Sequence, residues 1–309
     1  MGGCRLWHYD SPDEAVRDAL RLSEGMSYKN AVAGLHCGGG KGVLVRPRVA
    51  PTGRELGAAL RDFGDLVASL DGRYLTAEDV GMTERNMAVI AERTPYVTGR
   101  SRRSGGSGDP SPWTALGVKA AIEVSCERAF GSRDLAGRSV CVVGLGHVGL
   151  PLAKLLIKAG AQVVATDIDP GRRVDAEKIG ARWTTPGRAM GAAVDVLSPC
   201  ALGATLNVDT VPNIKAKVVA GAANNQLSEP AVADQIERRG IVWAPDFVAN
   251  AGGVINIGVE LDGPYDPADA RSRVLEIGAT LESIFADADK RSITAYAAAM
   301  DRARRLIAA

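Results

Sequence analysis

One short stretch restricts the fold of this chain more than any other. Ser139-Val140-Cys141-Val142-Val143 is a β-rich apolar run that enters Gly144-Leu145-Gly146-His147-Val148-Gly149. Behind it Leu150, Leu152, Leu155, Leu156 and Ile157 recur at helical spacing and Gly160 closes the segment. Val163-Val164-Ala165-Thr166-Asp167 then reads as a second buried strand ending in an acid. A bare G-x-G-x-x-G says little. Here a strand precedes it, a helix follows, and the acid stands 18 residues past the last glycine, the full context of a dinucleotide-binding βαβ unit. Glycines at 144, 146 and 149 let a pyrophosphate reach the backbone and the helix N-terminus, whose N–H groups and dipole favour an anion. Asp167 suits adenosine ribose hydroxyls and repels a 2′-phosphate, which favours NAD over NADP, while Arg172 and Arg173 close by pull the other way. His147, inside the turn, reads as a solvent-side spacer and not a catalytic base. The alternative is a Rossmann-like unit that binds no nucleotide.

The remaining chain agrees with an α/β protein of two domains. Its 309 residues suffice for two cores. Helical stripes are expected over 13–23, 57–70, 115–130 and 292–309, and strands over 42–45, 194–197, 218–222 and 241–244. This βα alternation points to a doubly wound parallel sheet. The polar, glycine-rich run 99–110 is the clearest hinge candidate, its glycines at Ser104 to Gly108 suited to closing a cleft. Lysine plus arginine (37) nearly balance aspartate plus glutamate (36), so no general attraction to nucleic acid or acidic membranes is implied. No apolar run is long enough to span a bilayer and no signal pattern opens the chain, which with five scattered cysteines of no ligand spacing argues for a reducing cytoplasm, free thiols and no metal.

The chemistry is expected elsewhere, at Gly38-Gly39-Gly40-Lys41, with Lys29 twelve positions earlier. Consecutive glycines serve where something must approach the backbone closely. A lysine beside them, desolvated and near a second cation, loses basicity and becomes a usable general base. A phosphate loop does not fit: Gly42 follows the lysine where Ser or Thr would be needed, and Leu35 stands where the first glycine belongs. A plain tight turn stays open. Glu78 and Asp79 end an apolar run, where a carboxylate can shuttle a proton or cap the next helix. Asn224-Asn225, Asn250 and the glycine pair Gly252-Gly253 read either as cleft residues or as caps and turns.

These motifs, in order, resemble one family. Gly25-Met26-Ser27-Tyr28-Lys29-Asn30-Ala31 through Gly38-Gly39-Gly40-Lys41, then Thr76-Ala77-Glu78-Asp79-Val80-Gly81, 144–149, Pro199-Cys200-Ala201-Leu202-Gly203, 221–227 and 244–256 are similar to the signatures of the amino acid dehydrogenase superfamily, in its leucine, valine and phenylalanine dehydrogenase branch. The resemblance implies a substrate domain over 1–101, a Rossmann NAD-binding domain over 102–291, and a C-terminal helix over 292–309 that returns to the first. It implies NAD-dependent oxidative deamination of an apolar L-amino acid to a 2-oxo acid and ammonia, and the reverse reaction, in a homo-oligomer. Lys29 would hold the substrate carboxylate with help from Asn225. Lys41 would activate water, its basicity lowered by Lys29, and Asp79 would handle protons on the amine. Met26 would bind substrate, and Ala77, Val254 and Ile257 would line a side-chain pocket without a partner for a γ-carboxylate, favouring valine, leucine or isoleucine. The cofactor would meet Gly144, Gly146, His147, Val148, Gly149, Asp167, Cys200, Ala201, Asn225 and Asn250.

In the same alignment Met1-Gly2-Gly3-Cys4-Arg5 falls on a segment that family members reach only after several dozen residues, so the substrate domain is expected to lack its usual first elements. A truncated chain, a misassigned start and a natural short form are the readings of this. An aromatic amino acid dehydrogenase, and a catalytically silent NAD-binding paralogue acting as a regulatory or assembly subunit, are the alternative functions.

Overall fold

The computed structural model describes residues 1–309 except the side chain of Ser104. The chain forms two compact units: Met1–Pro110 with Asn256–Asp269 and Ala303–Ala309, and Ser111–Ile255 with Ala270–Arg302. The expected divisions at 101 and 291 therefore differ from the observed ones. Residues 256–269 belong with the first unit, and only the end of the last helix, Ala295–Ala308, belongs there too.

In the first unit a three-stranded parallel sheet has the order β2-β1-β3, built from β1 (Gly2–Trp7), β2 (Gly42–Val45) and β3 (Thr76–Glu78). Between them lie helices α1 (Pro12–Val32) and α2 (Gly53–Ser69), and α3 (Glu84–Ala91) follows. The central strand β1 was not expected. Its opening Gly2-Gly3 carries no β-branched residue because the neighbouring chain is pressed onto it: a Cβ on Gly2 would lie 1.7 Å from the Gly40 carbonyl oxygen. Cys4, fully buried, is aligned with Gly42 on one side and Glu78 on the other. Leu60, Phe63 and Val67 of α2 and Met87 and Ile90 of α3 cover it, each such side chain contributing about 1.5–3 kcal/mol by leaving water. The helix termini are written locally. Ser11 accepts from the Glu14 N–H, Pro12 opens α1, and Thr52 with Glu55 forms a capping box on α2. Helix α1 runs nine residues past the expected end at Ser23, through Gly25.

The second unit is a six-stranded, wholly parallel sheet of order β6-β5-β4-β7-β8-β9. Its strands are β4 (Ser139–Val143), β5 (Gln162–Thr166), β6 (Arg182–Trp183), β7 (Val196–Pro199), β8 (Val218–Val219) and β9 (Val242–Trp243). Counted from β4, this is the doubly wound order 3-2-1-4-5-6, whose switch point falls between β4 and β7. Helices α4 (Ser111–Phe130) and α5 (Gly149–Lys158) belong to this unit. The inner strands β4, β7 and β8 are largely buried and so read as mostly apolar runs, whereas the edge strand β6 exposes Arg182.

The glycine-rich run 99–110 is not a loose tether. Gly106 N–H donates to the Ser101 carbonyl and Gly108 N–H to that of Arg100. The N–H groups of Gly99 and Ser107 both donate to one carboxylate oxygen of Glu260, at 3.1 and 2.8 Å. Of the expected hinge, the side chain of Ser104 lies outside the described residues.

Candidate active site

In the first unit, Lys41 leads into β2 and Asp79 leaves β3, on either side of the central strand. Their side chains meet: Lys41 Nζ lies 2.6 Å from Asp79 Oδ2, and the lysine side chain is only 6 % exposed. Burial pushes the Lys41 ammonium below its usual range against the attraction of Asp79, and Arg5 adds to the lowering. Burial alone would raise Asp79, but Lys41 and Arg5 outweigh it and hold the carboxyl below the usual range. A cation that assists here is Arg5, which the expectation did not include. Lys29 sits half-buried in the last turn of α1, whereas Arg5 projects from β1, next to the strand Asp79 leaves.

Arg5 was missed by sequence reasoning. Its Nε donates to Asp79 Oδ2 at 3.0 Å and its Nη1 to Asp18 Oδ2 at 3.1 Å. Asp18 also accepts from the Tyr9 hydroxyl at 2.6 Å and from Arg21 at 3.3 Å. The only signal was position in β1, a strand that lacked a readable pattern. Cys4 lies among these charges with its thiol pushed up to about 12 by burial, so it stays neutral.

The glycines before Lys41 admit the protein's own helix. A Cβ on Gly39 would stand 2.1 Å from Ser27 N and 2.3 Å from Ser23 O, so only glycine lets this loop lie on α1. That packing also sets Met26 beside the loop. The Tyr74 hydroxyl finishes the junction, accepting from Gly42 N–H and donating to the Gly2 carbonyl, both at 2.8 Å. Ala77 is buried in β3, and Ile257 is buried on the helix Gly252–Asp262. The residue after Ile257 packs closely on the same loop region, since a Cβ on Gly258 would meet Leu35 at 2.4 Å.

In the second unit the glycine turn sits at the ends of β4 and β7. Gly144 has φ +104°, a conformation L side chains rarely adopt. A Cβ on Gly149 would lie 1.9 Å from the Gly144 carbonyl oxygen, so α5 starts hard against the turn. Cys200 and Ala201 close the other side: the Cys200 N–H donates to the Val143 carbonyl at 2.8 Å, and Ala201 touches Gly144. Above Gly146 there is open space, and Gly146 and His147 are exposed while Val148 is half-buried. Asp167 turns toward the same place, accepting from Leu145 N–H at 2.7 Å and Asp169 N–H at 2.9 Å.

Asn250 donates to the Ala222 carbonyl at 3.1 Å and to Asn224 Oδ1 at 2.9 Å, yet its own buried Oδ1 has no partner. Asn225 is exposed with φ +50°, and Val254 is half-buried. Open space over Gly146, an oriented acid and an orphaned amide oxygen fit a dinucleotide carrying hydrogen-bonding groups.

Residues 1–96 match the family model described as the dimerisation domain of Glu/Leu/Phe/Val dehydrogenase, and residues 169–301 match that described as Glutamate/Leucine/Phenylalanine/Valine dehydrogenase. The chain belongs to this family. It is 45 % identical over 302 residues to a leucine dehydrogenase of Geobacillus stearothermophilus, covering 97 % of this chain and 81 % of that one. It is 43 % identical over 303 residues to a valine dehydrogenase of Streptomyces coelicolor, covering 97 % and 82 %. Among solved structures, L-tryptophan dehydrogenase from Nostoc punctiforme superposes with a TM-score of 0.84 at 37 % identity, covering all of this chain and 87 % of that one. The protein is thus an NAD-dependent amino acid dehydrogenase, an oxidoreductase of this family. Among the described residues no group of acidic, histidine or cysteine side chains is placed to hold a metal, and no helix is long and apolar enough to cross a membrane.

Proposed function

We propose that Lys41 and Asp79 are the acid–base residues of oxidative deamination, acting on branched-chain L-amino acids. The buried 2.6 Å pair carries this reading, because a desolvated lysine of lowered basicity next to a carboxylate is what proton handling near neutral pH requires. Lys41, once neutral, takes a proton from the water that attacks the imine carbon of the oxidised substrate. Asp79 takes a proton from the substrate ammonium before the hydride is lost and returns it to the nitrogen of the carbinolamine; as the C–N bond breaks the hydroxyl proton is released, so that ammonia departs and a 2-oxo acid remains. Lys29 is the fixed cation for the substrate carboxylate, with Asn225 assisting.

Ala77 and Ile257, both buried in the first unit, are side-chain contacts of the substrate and Met26 a further substrate contact, with Val254 given the same side-chain role by the resemblance. They offer no charge to a γ-carboxylate, whose burial there would be uncompensated. The names of the leucine and valine relatives at 43–45 % identity support the same preference.

NAD is held by Gly144, Gly146, His147, Val148 and Gly149, with Asp167 at the ribose and Cys200, Ala201, Asn225 and Asn250 along its remaining length. When bound, NAD accepts the hydride from the substrate Cα. The first unit is then the substrate domain and the second the cofactor domain. The chain works as a homo-oligomer in the cytoplasm, a reading supported by the description of the first matched model as a dimerisation domain and by five unpaired cysteines.

The test is NADH formation by the purified chain from L-valine, L-leucine, L-phenylalanine, L-tryptophan and L-glutamate with NAD⁺ or NADP⁺, with Lys41→Ala in parallel. Turnover of valine or leucine, lost in the variant, is expected. Preference for phenylalanine or tryptophan would replace the branched-chain assignment, and no turnover with intact NADH binding would point to a silent subunit. Light scattering on the same sample gives the subunit number.

A further inference from the structure

We propose that Arg5 is a positioning residue of the deamination reaction: from the central strand it holds Asp79 by one oxygen, Oδ2, and so presents the other, Oδ1, to the reacting amine. This rests on the assignment of Lys41 and Asp79 made above.

Two cations share Asp79 Oδ2, Lys41 Nζ at 2.6 Å and Arg5 Nε at 3.0 Å. No described residue donates to Oδ1. A carboxylate held by a single flexible ammonium can rotate about its last bond; one pinned by the planar guanidinium fork cannot do so without breaking a charged hydrogen bond. The fork is itself fixed. Its Nη1 bonds Asp18, and Asp18 is secured by Tyr9 and Arg21, so the chain of contacts runs from Asp79 on one edge strand to the outer turns of α1. Arg5, Asp18 and Asp79 are 21, 16 and 22 % exposed, sheltered enough for these contacts to persist against solvent.

Arg5 also divides the pull of Asp79. If Lys41 alone faced the carboxylate, the pair would favour a protonated lysine, unable to serve as a base. A second cation on the same oxygen weakens that hold and repels the Lys41 charge. The other titratable groups around the pair are Cys4 and Tyr74, both pushed up to about 12 by burial and therefore neutral, with Asp18, Tyr9 and Arg21 on the far side of Arg5. Glu78 on β3, next to Asp79 in the chain, is exposed. Removing Arg5 deletes a repelling cation and frees Asp79 for Lys41. Both changes make Lys41 harder to deprotonate, so the acid limb of kcat/KM must move to higher pH.

The experiment compares the full-length chain with Arg5→Gln, Arg5→Lys, Asp18→Asn and Lys41→Ala. L-valine or L-leucine, whichever is turned over faster, is the substrate with NAD⁺. Thermal melts and NADH fluorescence titration report folding and cofactor binding. Arg5→Gln is expected to lose about 10²-fold in kcat with KM changed by less than about threefold, and its acid limb to rise by about one pH unit. Arg5→Lys restores most of the limb, and Asp18→Asn, which takes away the second partner of the Arg5 fork, is expected to lower kcat by less than Arg5→Gln does. A folded Arg5→Gln with wild-type kcat and limb overturns the proposal. Should Arg5→Gln not fold, a wild-type kcat in Asp18→Asn overturns it. If Lys41→Ala is dead while the Arg5 variants are normal, only the positioning role fails. If Lys41→Ala stays active, the acid–base assignment fails and takes the positioning role with it.

Discussion

In the second unit the surface proposed to face the cofactor is almost entirely backbone: a glycine turn, a helix start and one carboxylate held by main-chain N–H groups of residues 145 and 169. In the first unit it is almost entirely side chain, a file of charges from Lys41 through Asp79 and Arg5 to Asp18. Both stand on parallel sheets, so the difference does not come from the class of scaffold. It comes from the task proposed for each. A diphosphate is recognised by donors whose position the chain path alone sets, whereas moving protons needs groups whose ionisation is adjusted by neighbours. The first kind of site is spoiled by added volume and the second by altered charge.

Lys41→Ala is the most damaging way to break the charged site. It is expected to reduce turnover by about 10³-fold or more while leaving NADH affinity unchanged, since the cofactor contacts are assigned to the other unit. In the unmodified protein kcat/KM should climb with pH and level off as Lys41 loses its proton. Because burial places that event below the usual lysine value of 10.5, the midpoint of the rise must fall below pH 10.5. A midpoint at or above pH 10.5 would remove Lys41 as the base.

Gly149→Ala is the matching break in the backbone site. The new Cβ would lie 1.9 Å from the Gly144 carbonyl oxygen, and the obstacle is main chain that cannot rotate away. Overpacking of this kind costs about 1–3 kcal/mol, so NADH should bind roughly 10- to 100-fold more weakly by fluorescence titration. Unchanged affinity would mean that the turn has room to give.

The same contrast explains what could be read in advance. The strand, turn, helix and acid of the cofactor unit occupy fewer than thirty consecutive residues, and β4 and α5 lie within a residue of where periodicity put them. The charged site draws on residues separated by up to 74 positions, so no window along the chain contains it. Lys41 and Asp79 were visible as types in suggestive places, but Arg5 was not, because β1 opens on glycines imposed by the Gly40 carbonyl and carries no strand pattern. Gly25 concealed the second half of α1 in a similar way. That Glu260, far along the chain, gathers N–H groups of the run 99–110 could not be read from its composition.

Val254 tests the proposed pocket, where shape matters more than charge or backbone. Val254→Ala enlarges it by two methyl groups and should shift the ratio of kcat/KM for L-leucine over L-valine upward by roughly tenfold. No shift would place Val254 outside the pocket.

The smallest expected effect concerns cofactor choice. Arg172 and Arg173 stand just past Asp167, where cations could welcome a 2′-phosphate, yet each is engaged on its own helical segment. Arg172 lies 3.3 Å from Asp175 and Arg173 2.7 Å from Glu177. Both are largely solvent-exposed, so whatever either offers a phosphate is screened and already partly spent, worth at most about 1 kcal/mol. Replacing both by alanine should therefore change the ratio of NAD⁺ to NADP⁺ turnover by less than about fivefold. Asp167→Ser should change it more, toward NADP⁺, because it removes a negative charge that Leu145 N–H holds in one orientation at the mouth of the turn. If the arginine pair proved the stronger determinant, selection in the cofactor unit would depend on mobile side-chain charge after all, and the division between a backbone site and a charged site would fail at that point.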